Sequence, residues 1–247
     1  MAEPASPAGP VPEPPARARG PWRTAFLGLA VAGLVIGVGW ALLGSKLLVV
    51  RSVVVTGTHL VSPDRVRAAA GVAPKLPMIR VDTHAVARRV EGITQVRSAT
   101  VTKSWPDRIV ITVHERTPAL AVAVPPTTHG GGYDLVDPAG VVVRSVKVRP
   151  AGMPVYQTTA APGSLRGNPA VAAAVAVLHQ VPAPVARAVA AIAAPNAQDV
   201  TLGLSDGVVI VWGNTSRARE KATELAILMR THARYYNVSA PETAVTR

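Results

Sequence analysis

Ser104-Trp105-Pro106-Asp107-Arg108-Ile109-Val110-Ile111-Thr112-Val113-His114-Glu115-Arg116-Thr117-Pro118-Ala119 is the stretch that decides the fold. Its opening residues form a turn around a proline, and the next ones alternate. Ile109, Ile111 and Val113 share one face, Val110, Thr112 and His114 the other. A period of two with apolar residues on one face predicts a strand, and Pro118 ends it. Val96–Lys103 precedes the turn as a second strand, so the two are neighbours in sequence and in the expected sheet.

Upstream, Asp82 opens a helix. Val81 and Val86 sit at the positions of a hydrophobic staple, Val86, Val90 and Ile93 continue the apolar stripe, and Arg88, Arg89 and Glu91 take the solvent side. Ser62 followed by Pro63 is a second helix start, with Gly71 as its stop and Val66, Ala69 and Ala70 facing inward. Leu48–Thr56 is rich in β-branched residues and reads as a strand that stops at Gly57. Residues 48–117 are therefore expected to form a strand–helix–helix–strand–strand unit of the α+β class.

Before that unit, Ala25–Gly44 runs 20 residues without a charge or strongly polar group. As a helix it would be about 30 Å long, the thickness of a hydrocarbon core. Trp22 and Arg23 flank one end and Trp40 and Lys46 the other, as interfacial anchors do. A cleaved signal peptide would have a shorter apolar core and a small-residue cleavage site, and a buried soluble helix would not carry so many glycines. The expectation is a single membrane span over 24–45. Arg17, Arg19 and Arg23 place its N-terminus in the cytoplasm and the remainder of the chain outside. Gly33, Gly37 and Ala41 recur every fourth residue, a face on which a second helix could approach closely. Residues 1–23 are proline-rich and read as a disordered cytoplasmic tail.

Downstream, residues 118–247 change to a mostly strand pattern. Ala119–Val124 is a short apolar run, followed by a Gly130–Gly132 loop. Tyr133–Val136 and Val141–Val146 flank the turn Asp137-Pro138-Ala139-Gly140. Asn168-Pro169 opens an alanine-rich helix to His179, and Val200–Leu204 and Val208–Trp212 flank Ser205-Asp206-Gly207 as a hairpin. Arg217–His232 is a helix with Ala222, Leu225, Leu228 and Met229 on one face, and Tyr235–Ser239 is a last strand. The expected architecture is a membrane helix, a βααββ unit, and a mostly antiparallel β domain with flanking helices.

The chain has 247 residues and a net charge of +12, with 21 of its 26 cations arginine. That charge is spread along the sequence: residues 49–118 carry +6 and residues 119–247 carry +4. Nucleic-acid binding calls for a concentrated patch with stacking aromatics, and Tyr and Phe together number five. With no cysteine, disulfides, thiolate metal sites and a thiol nucleophile are excluded. The six histidines (His59, His84, His114, His129, His179 and His232) lie far apart, and no nucleophile elbow or phosphate loop is present. Asp137, near Asp134, is explained by its turn. The reading is of a protein that is not an enzyme, with no cofactor, metal, nucleic acid or small-molecule substrate.

Taken together, the Trp105-to-Pro118 stretch resembles the W-P-[ND]-x-[LI]-x-[IV]-x-[VI]-x-E-R-x-P signature of the POTRA domain in the FtsQ/DivIB cell-division family, with Trp105, Pro106, Asp107, Glu115, Arg116 and Pro118 at the signature positions. Val53-Val54-Val55-Thr56-Gly57-Thr58 and Val61-Ser62-Pro63 are similar to that domain's opening strand and first helix start. Leu135-Val136-Asp137-Pro138-Ala139-Gly140-Val141 is similar to the family's L-V-D-x-x-G segment. Lys221–Leu228 and Tyr236-Asn237-Val238-Ser239-Ala240-Pro241 resemble its C-terminal helix and its I-D-V-S-x-P strand, with Asn237 standing where the family has an acid. The composition is that of an actinobacterial version.

The resemblance implies a non-enzymatic protein of the plasma membrane at the division septum, linking early and late division components. Its expected partners are the FtsB-like and FtsL-like proteins, bound outside the membrane, and its POTRA domain would dock another division component. In the family the exposed edge of the last strand accepts a partner strand. Here that edge would be Tyr236, Asn237, Val238, Ser239 and Ala240, continued by Ala244, Val245 and Thr246. An outer-membrane assembly protein would instead continue with many barrel strands and aromatic girdles, which residues 119–247 lack. An exported adaptor for another envelope assembly process shares the architecture and differs only in its partner.

Overall fold

The computed structural model describes residues 21–44, 48–125, 131–160, 162–240, 242 and 245–246. The expected cytoplasmic tail lies almost wholly outside the described residues, as do Lys46, His129 and Ala244. α1 (Pro21–Gly44) is a helix of 24 residues whose Phe26, Leu27, Leu34 and Ile36 are exposed. Side chains are described without interruption only over 24–40, about 26 Å of helix at 1.5 Å per residue. Among the described residues no helix is long and apolar enough to cross a membrane.

The first folded unit contains β1 (Ser52–Thr56), α2 (Pro63–Ala70), α3 (Thr83–Glu91), β2 (Val96–Ser104) and β3 (Arg108–Glu115), in the expected order. Both helix starts follow from their caps. Ser62 Oγ accepts from Arg65 N, and Asp82 Oδ1 accepts from Ala85 N over 2.9 Å. β3 is the central strand of three, parallel to β1 and antiparallel to β2. Its Ile109, Ile111 and Val113 are buried beneath Val66, Val86 and Val90 of the helices, and each isoleucine contributes about 2 kcal/mol by leaving water.

Two local readings change. The strand expected over Leu48–Thr56 begins at Ser52, because residues 48–50 bond instead to 75–78: Val50 N donates to Leu76 O, Lys75 N to Val50 O and Met78 N to Leu48 O. Arg89 and Glu91 are exposed but not merely solvated. Arg89 Nε and Nη2 donate to Ala70 O at 2.9 and 2.6 Å, and Glu91 accepts from Ala99 N.

Among the described residues the second unit is a sheet of nine strands, in the order β12-β11-β10-β9-β8-β7-β4-β5-β6. Its elements are β4 (Leu120–Val124), β5 (Gly132–Val136), β6 (Val142–Val146), β7 (Val155–Gln157), α4 (Pro169–Gln180), α5 (Ala183–Ala188), β8 (Val189–Ala193), β9 (Val200–Leu204), β10 (Val209–Gly213), α6 (Ala218–Leu228), β11 (Tyr235–Asn237) and β12 (Val245–Thr246). Most pairings are antiparallel, while β4–β7, β7–β8 and β10–β11 are parallel. α4 and α6 cover a core built around Leu120, Ile192, Leu202, Ile210, Trp212 and Leu225. The helix expected to reach His232 ends at Leu228 and tightens into a 3-10 turn over Met229–Thr231.

Candidate partner-binding site

Three residues of the Trp105-to-Pro118 stretch act as internal fasteners. Glu115, at the end of β3, accepts the main-chain N–H groups of His59, Leu60 and Val61 at 3.0, 2.9 and 2.8 Å, holding the loop that leads into α2. Desolvation pushes its carboxyl up, but those donors and nearby His59 together outweigh it and leave the group below its ordinary value. Arg116 Nη1 donates to Asp137 Oδ2 at 2.7 Å, and its Nε to Thr94 O at 3.0 Å. Asp137 is only 3% exposed. Its other oxygen accepts from Ala139 N and Val141 N, so one carboxylate closes the turn between β5 and β6 and ties the first unit to the second. Asp107 contributes through its main chain, which accepts from Arg51 N and Ser52 N. Trp105 and Pro106, joined by a cis peptide bond, are exposed at the turn.

The residues expected to form a partner edge fall into two sets. β11 is not the edge: it lies parallel to β10 on one side and antiparallel to β12 on the other. Tyr236 and Val238 are buried in the core, and Val238 N donates to Val211 O at 2.9 Å, inside the protein's own sheet. Asn237 Oδ1 accepts from Ser239 N at 3.0 Å and Ser239 Oγ at 2.7 Å, a turn that ends β11 before the expected Ser239. An acceptor oxygen is all this turn needs, so an amide serves where the resemblance shows an acid. Ala240 is exposed beyond the turn. The outermost strand is β12, where Val245 pairs with Asn237 and Thr246 with Tyr236.

α6 holds this end of the sheet. Lys221, 1% exposed, donates from Nζ to Trp212 O, Asn214 O and Asn214 Oδ1 at 3.1, 2.9 and 3.0 Å. Burial, with a smaller contribution from Arg217, lowers its amine below the ordinary lysine value. Arg217, at φ +51, pairs with Glu242 in the connection from β11 to β12. That hydrogen-bonded pair lowers the Glu242 carboxyl to about 2 and raises the Arg217 guanidinium. At Gly213 (φ +74) a Cβ would stand 2.8 Å from Ser239 Cβ, so the end of β10 and the turn after β11 approach more closely than any side chain permits.

Two segments match described families: residues 48–116 the POTRA domain, FtsQ-type, and residues 127–242 the cell division protein FtsQ/DivIB, C-terminal domain. A cell division protein FtsQ from Streptomyces bingchenggensis is 36% identical over 239 residues, covering 91% of this chain and 86% of that one. The chain belongs to the FtsQ/DivIB family of cell-division proteins. Its FtsQ relative from Mycobacteroides abscessus is 36% identical over 220 residues, with 89% of this chain and 68% of that one covered. The one from Mycobacterium leprae is 37% identical over 213 residues, 86% of this chain and 59% of that one. Among solved structures, the major extracytoplasmic domain of DivIB from Geobacillus stearothermophilus aligns at 18% identity and a TM-score of 0.31, over 43% of this chain and 85% of that one.

Within this family member, the helix positions Gly33 and Gly37 stack on one side of α1 with open space around them, while the side chain of Ala41 lies outside the described residues. No cluster of His, Asp and Glu suited to a metal ion occurs among the described residues. The signals that would have revealed the unexpected residues are modest. Lys221 falls in register with Leu225 and Leu228 on the buried side of α6, and Arg116 neighbours Glu115 in the signature.

Proposed function

We propose that this FtsQ/DivIB family member is a bitopic, non-enzymatic scaffold of the divisome, and that an FtsB-like partner, together with an FtsL-like one, adds a strand to β12 on the extracytoplasmic side. The uncharged Ala25–Gly44 stretch with its flanking Trp and Arg residues supports a membrane span with the N-terminus in the cytoplasm. The observation that carries the partner reading is the sheet order: among the described residues β12 stands at the end, bonded to β11 on one side only. An open edge offers unpaired N–H and C=O groups, so main-chain bonds supply affinity and alternate side chains specificity. Residues 48–116 would dock a different division component, and Gly33, Gly37 and Ala41 a neighbouring helix in the membrane.

Proline substitution tests the edge. Successive residues of an antiparallel strand point their N–H groups to opposite sides, so Val245→Pro and Thr246→Pro remove one inward and one outward donor. In pull-downs of the full chain with the FtsB-like partner, the outward variant weakens binding about tenfold, as the loss of about 1.4 kcal/mol requires. Ser145→Pro, on the opposite edge strand β6, leaves binding unchanged. Retained binding by both terminal variants refutes the edge reading, and normal septa after full depletion of the protein refute the divisome role.

A further inference from the structure

The net charge that the sequence spreads over residues 49–118 is gathered by the fold. Three segments meet at one pole of the first unit: 48–51, 75–80 and 103–108. Residues 48–50 bond to 75–78, Arg51 N and Ser52 N donate to Asp107 O, and Lys103 Nζ donates to Ile79 O at 3.3 Å. The parallel register of β1 on β3, Ser52 opposite Arg108, fixes this: both strands start at the same end, where β2 finishes at Ser104. The three segments carry Arg51, Lys75, Arg80, Lys103 and Arg108 against Asp107 alone, a net +4 of the +6 on residues 49–118. Lys75, Arg80 and Arg108 have no ion pair among the described residues, whereas elsewhere in the unit Arg67 pairs with Asp64 and Arg116 with Asp137. The same pole exposes two large apolar side chains, Trp105 at 52% and Ile79 at 56%.

We infer that this pole is a lipid-docking surface that seats the first unit on anionic phospholipid headgroups. The inference rests on the membrane reading of α1, and covalent geometry then supplies the argument. Only residues 45–47 separate Gly44 from Leu48, and four residue steps cannot exceed about 14 Å in any conformation. The headgroup layer outside the hydrocarbon core is itself about 5–7 Å deep on each side. Leu48, part of the pole, is therefore held within reach of that layer. An exposed indole with a neighbouring isoleucine is suited to the headgroup level, and a cluster of cations is attracted by an anionic surface. The opposite end of the unit, with Glu115 and His114, exposes Leu60 but no indole, and its Arg116 is paired with Asp137.

The absence of cysteine allows a direct test in the full-length chain. Single cysteines at Ser104 (pole), His114 (opposite end) and Leu34 (span) carry an environment-sensitive fluorophore in separate preparations. Each is reconstituted into phosphatidylcholine vesicles with or without phosphatidylglycerol, and quenching by brominated lipid is read. The Ser104 label is quenched in anionic vesicles and released by high salt, the His114 label is not quenched, and the Leu34 label is quenched in both. Lys75→Gln and Arg108→Gln each lower the docked-to-undocked ratio about fivefold, from about 1 kcal/mol per cation near an anionic surface. An unquenched Leu34 label overturns the membrane reading itself. With Leu34 quenched, a Ser104 label that matches His114, or that is quenched equally in neutral vesicles, overturns the lipid-docking surface and leaves the span intact.

Discussion

Replacing Arg116 by alanine tests whether the two folded units are joined by a buried charge or by chain connectivity alone. The variant keeps the main-chain bond from residue 116 to Gln95 O but loses the guanidinium bonds to Asp137 and Thr94. Among the described residues the buried Asp137 carboxyl then keeps only Ala139 N and Val141 N as donors. Removing one partner of a buried pair costs about 3–5 kcal/mol, whereas an exposed pair costs less than about 1 kcal/mol. Asp137→Asn keeps an oxygen for the turn and gives up only the charged bond, so its expected cost is about 1.5–3 kcal/mol. Urea unfolding of the chain from residue 48 onward is the assay, because its two indoles report separately: Trp105 from the first unit and Trp212 from the second. With a slope of about 2 kcal/mol per molar urea, Arg116→Ala moves the midpoint down by about 2 M. The two indole transitions, coincident in the parent, separate. A midpoint shift under about 0.5 M, equivalent to an exposed pair, would refute the reasoning.

Glu115→Gln removes the charge that holds three N–H groups, destabilising the first unit by about 2 kcal/mol at neutral pH in the same urea titration. Because the folded-state carboxyl is lowered, that contribution is fully present above the ordinary glutamate range and disappears as pH falls through the lowered value, so parent and variant converge in acid. Gly140→Ala places a methyl group 1.9 Å from Leu165 O at φ +72, and a loss of about 3 kcal/mol or more in thermal unfolding of the second unit is expected. A loss below about 1 kcal/mol would mean that the turn at Asp137 relaxes freely.

Features set by a few adjacent residues were legible from the chain. Ser62, Asp82 and Asn168 each cap the helix assigned to them, and the alternation in β3 buries Ile109, Ile111 and Val113 as read. Each depends on a local bond or period that the residues themselves specify. β7, α5 and β8 escaped the reading for the complementary reason. β7 is three residues long and parallel to both neighbours, so no hairpin turn announces it, and β8 is largely alanine and follows α5 without a break. β12 is two residues, and in sequence its Val245 and Thr246 read as a continuation of the last edge rather than as a separate strand. The expected edge therefore spans two strands, of which only Val245 and Thr246 lie on the outer one, because a buried Tyr236 and Val238 look, in sequence, like any alternating edge. The charged pole was hidden likewise, since its cations come from three separated segments that only the β1–β3 register brings together.

Three of the family's signature residues, Asp107, Glu115 and Arg116, fasten the protein internally, and this bears on how partners are read. Glu115 and Arg116 spend their charges on the α2 loop and on Asp137, and Asn237 spends its oxygen on Ser239. Lys221 is bonded to the chain around Trp212 and Asn214, and Gly213 admits the turn at Ser239. Each of these groups is engaged within the protein, and together they fix where an edge or pole is presented. Recognition through main-chain groups of a terminal strand demands little of the outward side chains and much of the framework behind them. A signature made of fasteners leaves the proposed partner contact to a two-residue terminal strand and the proposed lipid contact to cations drawn from three segments.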